Sequence, residues 1–301
     1  MALLLWGAQR KPLSMQSLFL IAAGLTLNAP NFSQEALGVS YFEWLSNSML
    51  VAAIVVLVVL WWARSATKRM EIVPGGTQNS FEAVVEFLYD MLEGIVGKHM
   101  VARAFSLLAT LFIFILFANW FGLLPGVGSI GWGENVPGHG FEVRVPLLRP
   151  TTADLNMTLG MAVVAFCLWL YWTISEVGVW GFLVHTFGPK GGLKGAMKLI
   201  FAIIFFFVGV IEVVSIMVRP VSLSLRLFGN VFAGETLLSS MITLGNTLGL
   251  PAVVTYVMSL IVPVPFYFLE LLVGLLQALV FTLLCAVYIQ LSTSHDEEEE
   301  H

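Results

Sequence analysis

Long apolar stretches separated by short polar segments dominate the pattern along the chain. A membrane-spanning helix needs about 20 predominantly apolar residues, and five stretches approach or exceed that length. The predicted spans cover residues 44–62, 103–124, 154–173, 199–244 and 250–291. The last two are much longer than a bilayer is thick, so each is expected to tilt steeply or to be broken. The candidate break points are Pro220, Gly229, Gly234, Pro263 and Pro265.

One helical pattern, at residues 77–98, is too polar to cross a membrane. Apolar residues recur at helical spacing along one of its faces. The opposite face carries the acids Glu82, Glu86, Asp90 and Glu93. We therefore predict an amphipathic helix that lies along the cytoplasmic surface or packs on the bundle.

The chain divides into an N-terminal segment, residues 1–40, and a membrane domain, residues 41–301. Arg10 and Lys11 precede a short apolar run in the first segment. That arrangement fits a cleaved signal peptide as well as an interfacial or spanning helix, and the pattern leaves these alternatives open.

Basic residues follow the first and third spans. By the positive-inside rule these ends are cytoplasmic, which puts the N-terminus outside and the C-terminus in the cytoplasm. The glycine- and proline-rich loop at 126–150 is then external. The two clusters are Arg64, Lys68 and Arg69, and Lys190, Lys194 and Lys198.

Composition supports an all-α polytopic membrane protein with about five embedded helices and one amphipathic surface helix. Of the 301 residues, 58% are hydrophobic and 11% are charged, whereas about a quarter of an ordinary soluble domain is charged. The formal charge of −5 reflects five acids at positions 296–300, and nothing indicates nucleic-acid binding. The cysteines Cys167 and Cys285 lie in apolar runs, where core packing is expected, and no metal or cofactor motif is present.

Charged residues interrupt the apolar stretch at 211–237, IEVVSIMVRPVSLSLRLFGNVFAGETL. An arginine at mid-bilayer costs roughly 2.5–3.5 kcal/mol on insertion scales, and such residues usually face a partner or a water-filled cavity. At about 100° per residue, five polar residues share one face within about 80°, whereas Glu235 points to another side. These five are Glu212, Ser215, Ser222, Arg226 and Asn230. The stretch is typical of a segment that handles an ion.

The run PVSLSLRLFGN at 220–230, continued by AGE at 233–235, resembles subunit a of the F-type ATP synthases. Asn119 with the LLP that follows at 123–125, TADLN at 152–156 and the polar residues of the last span resemble further elements of that family. The resemblance covers about residues 40–301. It implies a non-catalytic stator subunit whose last two helices pack against a rotating ring of c subunits.

The resemblance also implies residue roles. Arg226 matches the family's essential arginine and Asn230 its nearby amide. Glu235, Glu270 and Gln277 match the proton path open to the outside, and Glu212 and Ser215 match the path open to the cytoplasm. Asn119, Asp154 and Tyr288 are channel or structural candidates, and for Asp154 a helix N-cap is an equal alternative.

Two positions depart from the family pattern. Some members carry an acid where this chain has Gly122, which puts a proton relay there in doubt. Some relatives have histidine at the position of Glu270, so here two carboxylates would share the outer path.

The implied partners are the c-subunit rotor ring, the peripheral-stalk b subunits, the F1 head that carries the nucleotide chemistry, the lipid bilayer and protons. No cofactor is implied, and the expected location is an energy-coupling membrane such as the bacterial inner membrane. The alternative function is a free-standing ion-coupled secondary transporter, although the internal repeats usual in transporters are not evident. An intramembrane protease would need a Ser/His pair, paired aspartates or a His-Glu-x-x-His motif in the spans, and none is present.

Overall fold

The computed structural model describes residues 46–68, 70–124, 127, 130–136, 140–187 and 196–293. The N-terminal segment and the acidic C-terminal run lie outside the described residues. The described helices are α1 (Asn47–Thr67), α2 (Gly76–Val96), α3 (Lys98–Gly122), α4 (Leu155–Phe187), α5 (Ala196–Thr247), α6 (Ala252–Ile261) and α7 (Pro263–Thr293), with a 3-10 turn at Thr151–Ala153 before α4.

Five helical segments are long and apolar enough to cross a membrane, which confirms the prediction of five spans in an all-α membrane bundle. They are Asn47–Thr67, Lys98–Gly122, Leu155–Phe182, Ile204–Gly245 and Ala252–Leu291. Their order along the chain is the predicted one, and their ends differ from the predicted ends by a few residues in most cases.

The amphipathic helix α2 packs on the bundle. Leu88, Leu92 and Val96 on its apolar face belong to the main buried core, and Phe81 meets Trp62 of α1 edge-to-face at 5.1 Å between ring centroids. Gly97 separates α2 from α3 with a φ of 81°, a left-handed conformation that glycine adopts without a steric penalty.

Helix α4 is longer than the predicted third span, which ends at residue 173. It continues to Phe187 through a kink at Gly178, whose φ of 76° and ψ of 158° are not helical. Just before the kink, Glu176 forms an ion pair with Arg103 of α3. The predicted end was too early because Glu176 and Gly178 interrupt the apolar pattern without ending the helix.

Helix α5 runs for 52 residues without a break at Pro220, Gly229 or Gly234. At 1.5 Å per residue it is about 78 Å long, so it fits a hydrocarbon layer of ~30 Å only at a steep tilt. Of the two alternatives for the fourth span, the structure therefore has the unbroken one. A single proline removes one backbone hydrogen bond, and the remaining turns hold the helix together.

The last span is interrupted where a break was expected, at Pro263. Helix α6 ends at Ile261 and α7 begins at Pro263, while Val262 between them keeps right-handed helical dihedral angles. Pro265 does not break α7 because it lies in the first turn, where a missing N–H costs nothing.

A two-stranded antiparallel hairpin occupies the loop that was predicted only as irregular. Strand β1 (Gly131–Val136) pairs with β2 (Gly140–Pro146), from Gly131 opposite Pro146 to Val136 opposite Gly140. The apolar residues at 141, 143 and 145 alternate with polar ones, which is a strand signal. The many glycines and prolines around it hid this short pattern.

The core lies where α3 and α7 pack along each other, between α2 and α4. Fully buried residues of α3 include Leu108 and Ile115, and those of α7 include Phe281 and Ala286. This packing fixes α7 in the bundle and leaves one side of α7 facing α5. The candidate site lies between those two helices.

Candidate functional site

A cavity of about 410 Å³ lies between the end of α3, the second half of α5 and the first half of α7. Its polar lining comes from residues that are far apart in the sequence. These are Asn119, Asn230, Glu235, Ser239, Thr243, Tyr267, Glu270 and Gln277. The structure therefore brings together the candidates Asn119, Asn230, Glu235, Glu270 and Gln277. Glu235 belongs to this group although helical spacing puts it on another side of α5 from Asn230.

Two carboxylates, Glu235 and Glu270, line the cavity from facing helices. The Glu270 carboxylate lies directly against the backbone at Gly234, where an added Cβ would overlap it. The glycine before Glu235 is thus what lets the two helices bring both acids into one space.

Two amides line the cavity, and Asn230 is the lining residue of α5 that lies nearest to Arg226 along the chain. Asn230 Nδ2 donates a 2.7 Å hydrogen bond to Gln277 Oε1. Because Asn230 follows Arg226 by four residues, the two lie one helical turn apart on the same face of α5. The hydrogen bond ties α5 to α7 beside the arginine.

Two residues that line the cavity each have a buried side-chain atom without a hydrogen-bond partner among the described residues. They are Gln277 Nε2, a donor, and Asn119 Oδ1, an acceptor, on side chains only 4% and 6% exposed. Buried polar atoms are usually satisfied by a protein group or by ordered water.

Asn119 also fixes the cavity wall. Its Nδ2 donates to the Gly274 carbonyl at 3.1 Å, and the neighbouring Trp120 Nε1 donates to the Leu271 carbonyl at 3.1 Å. An added Cβ at Gly274 would lie 3.2 Å from Asn119 Cβ, so the glycine permits this close approach of α3 and α7.

Gly122, where some relatives carry an acid, lines the same cavity. A Cβ built there would lie 2.9 Å from Pro150 Cγ. The side chain of Pro150 thus occupies the space that a larger residue at position 122 would need. In this chain the carboxylates of the cavity come from α5 and α7 instead.

Arg226 is exposed on α5. Within the part of the chain that the structure describes, its guanidinium forms no ion pair. Ser215 is exposed and Glu212 is half-buried on the preceding turns of α5, and neither lines the cavity. The cavity and these two residues lie on opposite sides of Arg226 along the helix.

Asp154 caps α4 and does not line the cavity. It is only 3% exposed. Its Oδ1 accepts from the Asn156 N–H at 2.9 Å, as an N-cap side chain does, and its Oδ2 accepts from Ser48 Oγ of α1 at 2.6 Å. The residue therefore starts one helix and ties it to another.

Two arginines near these groups were missed by the sequence analysis. Arg219 packs between aromatic rings, with its Cζ 4.6 Å from the Tyr288 ring centroid and 6.0 Å from that of Trp169. Arg149 directly precedes Pro150, which lines the cavity. Arg219 could have been found, because it is two full turns from Arg226 on the same helix face.

Metal binding has no support in the described residues, where no three His, Cys, Asp or Glu side chains form a group that could hold an ion. The polar atoms of the cavity suit water and protons. The arrangement places two carboxylates and two amides around one cavity, whose nearest lining residue on α5 follows Arg226 by four positions.

The family model "ATP synthase A chain" matches residues 46–290. This chain belongs to the ATP synthase subunit a family. Its similarity to curated members extends over most of both chains. Subunit a of Protochlamydia amoebophila is 35% identical over 256 residues, which are 84% of this chain and 81% of the relative. Subunit a of Moorella thermoacetica is 32% identical over 78% of this chain and 85% of the relative, and that of Sorangium cellulosum is 30% identical over 92% and 93%.

Membership in the subunit a family confirms the resemblance found in the sequence. The protein is a multi-pass membrane subunit of the proton-translocating Fo sector and works within the ATP synthase complex. A free-standing transporter thereby loses its support, because the matched region includes every described span.

Proposed function

We propose that this subunit a provides two offset aqueous half-channels, separated by Arg226, through which protons reach and leave the carboxylates of a c-subunit rotor ring. The outer half-channel is the cavity that contains Glu235 and Glu270. The cytoplasmic half-channel passes Glu212 and Ser215. The ATP chemistry takes place on the F1 head, and b subunits of a peripheral stalk hold the subunit still.

The observation that carries this proposal is the position of the cavity. Its lining residues on α5 begin at Asn230 and include Glu235, so the cavity lies on one side of Arg226 along the helix, and Asn230 donates a hydrogen bond to Gln277 at the end nearest Arg226. Amide groups neither gain nor lose protons near neutral pH. The Asn230–Gln277 pair therefore offers no titratable side chain that could pass a proton from the cavity toward Arg226.

Arg226 suits a barrier because a guanidinium is effectively never deprotonated in a protein and so cannot relay a proton. Its exposed side chain and lack of an ion pair among the described residues leave it free to meet a carboxylate of a partner. Its positive charge favours the ionised form of that carboxylate. A rotor carboxylate that arrives protonated would then release its proton near Arg226.

The cytoplasmic path is separated from the outer one by the length of α5. Glu212 precedes Arg226 by 14 residues and Glu235 follows it by 9. At 1.5 Å per residue these intervals are about 21 Å and about 13 Å. Together they make about 34 Å along the helix axis, so the two groups of residues lie well apart on α5 with Arg226 between them.

The membrane proposed is an energy-coupling one, such as a bacterial inner membrane, with the N-terminus outside and the C-terminus in the cytoplasm. This orientation puts the β1–β2 hairpin and the cavity side of Glu235 outside, and the ion pair between Arg103 and Glu176 at the cytoplasmic end. Basic residues at the end of α1 fit a cytoplasmic position by the positive-inside rule. Asn119 and Asp154 hold the helices around this path, the first from the cavity wall and the second from the N-terminus of α4.

The two acids of the cavity provide the direct test of the outer path. We expect Glu235→Gln and Glu270→Gln each to slow ATP synthesis driven by a proton gradient in vesicles that contain the complete complex. Because the two side chains share one cavity, the first loss already breaks the relay. The double variant should therefore be less impaired than the two separate losses combined.

The matched control is Glu86→Gln, which removes an acid from the exposed face of α2 and should leave synthesis unchanged. Passive proton permeability should stay low in all four variants, because Arg226 still separates the paths. Strictly additive losses would contradict a shared relay. A raised leak in the glutamate variants would show that the acids, and not Arg226, form the seal.

A further inference from the structure

We propose that Arg219 is a positioning residue that locks the middle of α5 to the last helix through Tyr288 and so sets the place of Arg226. The proposal rests on the barrier role of Arg226 given above. It assigns to Arg219 and Tyr288 a joint task that differs from proton transfer. We refer to Arg219, Tyr288 and Trp169 as the cation–aromatic clamp.

The clamp joins three helices. The Arg219 guanidinium carbon of α5 lies 4.6 Å from the centroid of the Tyr288 ring of α7 and 6.0 Å from that of Trp169 in α4. The Trp169 indole N–H donates a 2.8 Å hydrogen bond to the Tyr288 carbonyl. The Trp169 ring is therefore held to the backbone of α7 at the residue whose ring contacts the cation.

Arg219 carries a half-buried charge that the described residues do not pair with an acid. A cation within about 6 Å of an aromatic ring centroid is attracted by the negative face of the ring, more strongly where water is excluded. Only a small void of about 20 Å³ remains beside the group, lined mainly by apolar side chains. Among the described residues, the aromatic faces are thus the groups that offset the charge of the guanidinium.

The clamp lies where α5 is weakest. Pro220 has no N–H, so it cannot donate the backbone hydrogen bond to the Ile216 carbonyl. This missing bond lies six residues before Arg226. A helix that lacks one internal bond bends more easily there, and the clamp holds that turn from outside.

A second contact joins the same two helices, and it lies the same number of residues from the first contact on α5 as on α7. Arg219 contacts Tyr288, and Asn230 donates to Gln277. Eleven residues separate the two ties on α5, and eleven separate them on α7. The two helices therefore run antiparallel in one register over about 16 Å, and Arg226 lies between the ties.

This geometry explains how Arg219 acts through Arg226. The two ties together restrain sliding and rotation of α5 against α7, so they hold Arg226 in place relative to the cavity. With the clamp removed, only the amide tie remains, and the segment that contains Pro220 gains freedom to bend. Arg226 would then leave the position in which it separates the two paths.

The test compares pairs of variants in the complete complex. Arg219→Met removes the charge but keeps a long apolar stem, and Tyr288→Leu removes the ring. Both should give a several-fold loss of gradient-driven ATP synthesis together with a raised passive proton permeability. Tyr288→Phe keeps the ring face, so its ATP synthesis and proton permeability should stay at the parent's values. Arg219→Lys keeps a charge that stacks less well on the rings, so its ATP synthesis and proton permeability should lie between those of the parent and Arg219→Met.

A distance measurement tests the clamp without using proton transport. Spin labels at Met217 of α5 and Leu291 of α7, in a background with Cys167 and Cys285 replaced by alanine, report the separation of the two helices in the assembled complex. Arg219→Met and Tyr288→Leu should broaden the distance distribution, and Tyr288→Phe should leave it as narrow as in the parent.

The proposal is overturned by an unchanged distance distribution in Arg219→Met and Tyr288→Leu. It is also overturned if Tyr288→Phe is as damaging as Tyr288→Leu, since the hydroxyl rather than the ring would then be needed. A separate result would show that Arg226 is not the barrier: substitutions of Arg226 would leave proton permeability and ATP synthesis normal. The spin-label distances would still show whether the clamp exists.

Discussion

Asn230 donates a 2.7 Å side-chain hydrogen bond to Gln277, across the interface of α5 and α7 and one turn from Arg226. The Gln277 side chain is almost fully buried, and the residue lines the same cavity as the two glutamates. A single contact thus joins the two long helices at the end of the cavity nearest Arg226. Its removal should disturb both stability and proton passage.

Removal of one member of the amide pair should destabilise the complex. Asn230→Leu leaves the buried Gln277 amide with an unmet hydrogen bond, which costs about 1–3 kcal/mol. Gln277→Leu leaves the exposed Asn230 amide unpaired and should cost less. The double variant should lose less than both single losses together, because no amide is then left unpaired. The midpoint of thermal disassembly of the purified complex measures this. Equal and additive losses would mean that the two amides do not depend on each other.

Gly234 should not tolerate even a methyl group. A Cβ at this position overlaps the Glu270 carboxylate, so Gly234→Ala should push that side chain out of the cavity and lower gradient-driven ATP synthesis severalfold. Gly229→Ala is the matched control, because nothing lies within 4 Å of a Cβ there. On helix propensity alone the control should be neutral or slightly stabilising, since alanine is favoured over glycine by about 1 kcal/mol.

A compensating change checks the cause of that loss. Glu270→Ala makes room for the added methyl group, so Gly234→Ala should cost little further activity in a Glu270→Ala background. An equal loss in both backgrounds would show that the methyl group acts on something other than Glu270.

Asp154 should behave as a structural residue. Ser48→Ala removes the 2.6 Å hydrogen bond that ties α1 to the start of α4, and Asp154→Ala also removes the N-cap, which is worth about 1 kcal/mol. Both should lower the thermal midpoint of the complex, the second by more. The rate of proton-driven synthesis per assembled complex should stay near that of the parent. A rate that falls while assembly is normal would favour a channel role for Asp154.

Hydropathy was sufficient to predict the five spans, because the bilayer requires long apolar helices with every backbone group satisfied internally. It could not predict the state of α5. Pro220, Gly229 and Gly234 were all reasonable break points, yet the helix continues through each of them. Whether a proline bends or breaks a helix depends on neighbouring contacts, such as those of Arg219, and these are absent from a local pattern.

The sequence was sufficient to predict several of the residues that line the cavity, but not how they are arranged. The resemblance pointed to Asn230, Glu235, Glu270 and Gln277 one by one. The pairing of the two amides and the place of Glu270 against Gly234 depend on the register between α5 and α7. That register comes from packing of the whole bundle. The spacing of Arg219 from Arg226 places both on one face of α5, but the aromatic partners of Arg219 come from α4 and α7 and have no signal in the local sequence.

The central claim is that Arg226 separates two proton paths. Its most direct test is gradient-driven ATP synthesis, measured together with passive proton permeability, in vesicles that contain the complex with Arg226→Lys or Arg226→Ala. We expect both variants to assemble and to lose synthesis. Arg226→Ala removes the positive charge, and in Arg226→Lys the ammonium can give up its proton once it is desolvated, whereas a guanidinium does not. Near-normal synthesis by the Arg226→Lys complex, with no rise in leak, would contradict the account.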